Sequence, residues 1–100
     1  MAHTCHAYGC GKEIPASKLM CPGEWFSLPL AVRNAVWREY RKGQERTKTP
    51  SERYLAVFWY AVALTAPVEA RSGLFDRAER RRNRAIADGA GDPLAGLVPS

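Results

Sequence analysis

Apolar and polar positions fall into three helical patterns and one stretch with no period. From 29 to 42, Val32, Val36 and Tyr40 recur at four-residue steps beside Leu28 and Trp37, while Arg33, Arg38 and Arg41 lie elsewhere around the helix. Ser27 is placed to cap this helix, Pro29 suits its first turn, and Gly43 after Arg41 and Lys42 is a natural stop. A second helix is predicted over 50 to 66. Thr49-Pro50-Ser51-Glu52 supplies a capping threonine, a first-turn proline and a glutamate three residues after the cap. The middle of this helix, residues 54–64, is apolar on every face, so it is either the covered central helix or part of an interface, including one between copies of the chain. Pro67 ends it. After Ser72-Gly73, a third helix is predicted over 74 to 88, with Leu74, Phe75, Ala78, Ala85 and Ile86 at helical spacing among arginines. The Gly- and Pro-containing segment 89–100 has no period and reads as a disordered tail.

Residues 1–26 carry turn formers instead of a period, and they hold all the cysteines and both histidines. Cys5, Cys10 and Cys21 follow the spacing Cys-x4-Cys-x10-Cys, by which a short chain closes around a tetrahedral zinc ion. Three cysteines cannot all pair internally, so metal ligation is the reading that uses all of them. Three residues after Cys21, where cysteine or histidine would be the commoner ligand, stands Glu24, whose carboxylate zinc also accepts. The fourth ligand therefore stays open among Glu24, His3 and His6. Adjacent residues rarely aim at one ion without strain, which makes His3 or Glu24 easier than His6 beside Cys5. With four ligands the site is closed, and the Zn2+ is structural.

Composition narrows the function. The 100 residues are 46% hydrophobic and 25% charged, enough for one modest core in one compact unit. The apolar run from Tyr54 to Ala66 falls short of the roughly 20 residues that span a membrane. The first residues lack a basic stretch followed by an apolar one, so a cytoplasmic location is expected. No Ser-His-Asp set, paired-carboxylate signature or phosphate-cradling glycine loop is recognisable, which argues against catalysis and a small-molecule substrate. The net charge of +5 permits an anionic partner without naming it. Arg33, Arg38, Arg41, Lys42, Arg80, Arg81 and Arg84 are the candidate contacts, either to nucleic acid phosphates or to an acidic protein.

Cys5 His6 Cys10, Cys21, Trp25 Phe26, Pro29, Arg33, Val36 Trp37, Tyr40 Arg41, Gly43 Gln44 Glu45, Pro50 Ser51 and Tyr54 Leu55 carry a resemblance. Over roughly residues 3 to 55 the chain resembles small zinc-finger-like proteins of bacteriophages and prophages, departing from them at Glu24, where they have histidine. The resemblance implies a phage-derived zinc-binding protein acting in a bacterial host cytoplasm, with no established activity. The expected fold is thus mostly α, with a zinc-bound loop module (1–26) packed on a two- to three-helix bundle (27–88). Trp25, Phe26, Trp37 and Phe58 are expected to join the two. The expected function is non-catalytic binding of nucleic acid through basic helical faces or, alternatively, inhibition or adaptation of a host protein complex.

Overall fold

The computed structural model describes residues 3–5, 7, 9–14, 20–40 and 51–97, at 3 and 4 by their backbone. The fold is mostly helical. Two short strands, β1 (His3–Thr4) and β2 (Glu13–Ile14), pair antiparallel with His3 opposite Ile14 and Thr4 opposite Glu13. The Cys5 amide extends the ribbon by donating to the Lys12 carbonyl at 2.8 Å. Gly9 turns the chain at φ 73°, a left-handed conformation that a side chain would strain.

A short helix, not anticipated by the aperiodic reading of residues 1–26, precedes the predicted first helix. Helix α1 (Pro22–Ser27) starts with Pro22 in its first turn and ends at Leu28, which is extended at ψ 147° because the residue before a proline avoids helical geometry. Pro29 then serves as the N-cap of α2 (Leu30–Glu39). Ser27 is consequently not a cap; its hydroxyl donates to the Glu24 carbonyl at 2.6 Å inside α1. Helix α2 buries Val32, Ala35 and Val36; of the positions its period marked, Val32 and Val36 are buried, while Tyr40 is half-buried and Trp37 exposed.

Helix α3 (Glu52–Thr65) is capped by Ser51, whose Oγ accepts from the Tyr54 amide at 3.1 Å. The Thr49 and Pro50 start expected for it lies outside the described residues, as do Arg41, Lys42 and Gly43. The apolar run is indeed covered. Ala56, Val57, Tyr60, Ala61, Val62 and Ala63 are buried, and the rest of residues 54–64 are half-buried. Pro67 stops α3 and starts α4 (Val68–Ala87), which begins six residues before the predicted position and runs through Gly73. A mid-helix glycine costs roughly 1 kcal/mol, less than the packing of Leu74 and Phe75 against the core returns. Ala78 and Ala85 on α4 and Ala56, Ala61 and Ala63 on α3 are buried small residues, which let the two helices, the most extensive pairing in the fold, lie close.

Gly89, at φ 79°, closes α4: its amide bonds the Ile86 carbonyl, and the Ala90 amide bonds that of Ala85 at 2.9 Å. The segment after it is docked through residue 97, contrary to the disordered tail expected. Pro93 and Leu94 are buried, Tyr60 donates to the Leu97 carbonyl at 2.8 Å, and Arg82 grips Asp92.

One cluster of buried residues includes Cys5, Ala7, Met20 and Cys21 together with Leu28, Val36, Val57 and Leu94, so the cysteine module shares the bundle's core. The expected aromatic joint is only half right. Trp25 and Phe58 pack partly into the core, while Phe26 is 67% and Trp37 48% exposed. No helix among the described residues is long and apolar enough to cross a membrane.

Candidate metal centre

Each cysteine sits where a different local feature fixes its backbone. Cys5 follows β1 and is tied to Lys12 across the ribbon; Cys10 follows the Gly9 turn, its amide bonded to the Ala7 carbonyl at 3.1 Å; Cys21 is the extended N-cap residue of α1. These features bring Cys5, Cys10 and Cys21 together, their sulfurs all within 4.8 Å of one another. The three are reduced, with Cys5 and Cys21 buried and Cys10 half-buried. Sulfurs about 2.3 Å from a tetrahedral zinc lie roughly 3.8 Å apart, so little convergence separates this arrangement from a coordination sphere.

The surroundings favour thiolate at Cys21 and disfavour it at Cys5. The Cys21 amide donates to Cys5 Sγ at 3.2 Å, a bond that strengthens when the sulfur carries charge. Burial pushes the Cys5 thiol up from its ordinary value, while the amides of Cys21 and Ala7 pull it back. The Cys21 thiol is lowered, first by the Glu24 amide in the opening turn of α1 and less by the positive charge of Lys12. A cation bound here would displace the thiol protons outright. The donor set is soft, and it suits a thiophilic ion better than a hard one.

The Glu24 carboxylate is not part of the close group. Its residue stands three after the N-cap Cys21, the pair of positions whose side chains approach each other in a capping box, and the side chain is half-buried. The His3 side chain and all of His6 lie outside the described residues.

Among the described residues, two of the predicted basic contacts are engaged within the fold. Arg38 bonds Glu39 and the Pro93 carbonyl, and Arg81 bonds Glu52 at 3.1 Å. The guanidinium of Arg33 lies 5.2 Å from the Phe26 ring centroid. Arg80 and Arg84 are exposed on α4, in a helix that also exposes Glu69, Asp76 and Glu79. Sequence reasoning missed Arg53, which binds both carboxylate oxygens of Glu39 at 2.8 Å and also reaches the Ala90 carbonyl. It missed the sulfur-directed amides as well, because only the placement of Cys21 against Cys5 creates them. No protein-family model, curated protein or solved structure matches the chain.

Proposed function

We propose that this chain is a small, non-catalytic binding protein folded around a structural zinc ion held by Cys5, Cys10 and Cys21. The observation that carries the reading is the convergence of three sulfurs, two from the β1–β2 connection and one from the N-cap of α1, to within 4.8 Å. Zinc is the metal of choice because it takes thiolate, imidazole and carboxylate in one tetrahedral set, whichever of Glu24, His3 or His6 completes it. Bound there it supplies folding free energy to strands too short to hold themselves.

For the partner, protein is favoured over nucleic acid. Phosphate binding needs several free cations in a row, and Arg38 and Arg81 are held in ion pairs within the fold. The resemblance to phage and prophage proteins points to a protein of the bacterial host.

The test is native mass spectrometry of protein purified without added metal, together with absorption of its Co2+-substituted form. One Zn2+ per chain and intense thiolate-to-cobalt bands in the near ultraviolet, both lost in Cys21→Ser, support the reading. A metal-free chain with the same fold overturns it. Affinity for a single-stranded oligonucleotide falling steeply with salt would instead favour nucleic acid.

A further inference from the structure

The outward side of α1 and α2 carries an unusual set of residues. Phe26 and Leu30 are 67% and 61% exposed, and Trp37, edge-on to Trp25 at 6.1 Å, keeps about half of its surface exposed. On α2, Leu30, Arg33 and Trp37 follow one another at three- and four-residue steps and so share one face, and the Arg33 guanidinium over the Phe26 ring links that face to α1. Large apolar side chains concentrated around an arginine are the composition of an interface centre.

The Arg33 Nε atom is buried and has no hydrogen-bond partner. Leaving such a donor unmatched costs roughly 1–3 kcal/mol, and native proteins rarely accept that without a use for the group. Arg33 also takes part in none of the ion pairs among the described residues, which engage Arg38, Arg53, Arg81 and Arg82. Among the described residues the face therefore offers one cation, stacked on Phe26, that has no carboxylate partner. Its complement is a carboxylate flanked by apolar side chains.

We infer that the α1–α2 face, centred on Arg33 and rimmed by Phe26, Leu30 and Trp37, is a docking site for a protein segment that presents an aspartate or glutamate beside large apolar residues. The inference rests on the proposed reading of the chain as a binding protein and deepens it by naming the surface and the chemistry of the partner. A nucleic acid fits the face less well. Stacked bases need open ring faces, and one face of Phe26 is already taken by the guanidinium, while a single cation without a carboxylate partner cannot follow a phosphate backbone.

The experiment is selection of a random peptide library on the full chain, with metal content measured on the same preparation. Recovered peptides should be enriched in Asp or Glu next to Leu, Phe or Trp, and should shift the amide resonances of Phe26, Leu30 and Trp37. Leu30→Ser, at an exposed position, should weaken them by at least about tenfold, the scale of a hot-spot residue. Arg33→Gln and an Asp→Asn change in the peptide should each weaken binding, and the second change should add little once the first is present. The proposal is overturned if no peptide is recovered, if acidic residues are not enriched, if the shifts map elsewhere, or if a single-stranded oligonucleotide binds this face and peptides do not. Because the selection needs only folded chain, a preparation that lacks zinc yet keeps the fold of its N-terminal module would sink the metal reading while leaving the surface to stand or fall by its own result.

Discussion

The cysteine module and the α3–α4 pair share one core yet are held by different physics. The module consists of two-residue strands, a turn at Gly9 and the six-residue α1, none of which is stable alone. Its ordering elements are three sulfurs and a few directed amides. The helix pair has 14 and 20 residues, a side-chain cap at Ser51, a glycine closure at Gly89 and a continuous set of buried small residues. Burial suffices for the pair; in the proposed reading the module also draws on a bound metal ion.

The largest effect that would break this contrast falls on the module. Cys21→Ser should disorder residues 5–28 while α3 and α4 keep their helicity, since apparent zinc binding energies in such sites reach about 10–16 kcal/mol. Two-dimensional amide spectra check this, and the account expects loss of dispersion confined to the module's resonances. In the helix pair the equivalent blow is a cavity. Val57 is fully buried, and Val57→Ala should lower stability by about 2–3 kcal/mol in denaturant titration without changing metal stoichiometry.

Between the two regions runs the Glu39–Arg53 pair, which ties α2 to α3. Arg53, bonded to both carboxylate oxygens, holds the Glu39 carboxyl below its ordinary value of 4.5. A carboxyl lowered in the folded state contributes stability that is complete above the unfolded value and is lost as pH falls through the folded one. Glu39→Gln should therefore cost about 1–3 kcal/mol near neutral pH and flatten the loss of stability expected of the wild type below pH 4.5. Thermal melts across that range measure both effects. The smallest change is a gain. Gly73 is exposed in the middle of α4, and a Cβ there meets nothing within 4 Å, so Gly73→Ala should add about 0.4–1 kcal/mol and leave the module untouched.

The same contrast explains what could be read from the sequence. Helix α3 was legible because Tyr54 to Leu64 is apolar and Pro67 ends it, and the cysteine cluster was legible because its spacing already implied convergence. Helix α1 was missed because its six residues are too few to show a period and open on Pro22 and Gly23, which read as turn formers. The early beginning of α4 was hidden by Ser72-Gly73, whose local preference is overridden by packing of Leu74 and Phe75. Docking of residues 90–97 depends on single contacts such as Tyr60 to Leu97, which leave no periodic trace. Charge misled in a similar way. Arg81 reads as a surface cation until the fold brings Glu52 to it from 29 residues away.

The most direct test of the central claim is amide hydrogen exchange on the full chain with zinc bound and after chelation. The account predicts that chelation strips protection from the Cys5, Cys10 and Cys21 amides, which are bonded to Lys12, Ala7 and the Cys5 sulfur, while the amides of α3 from Val57 to Val62 keep theirs. Equal protection of the module in both states would contradict it.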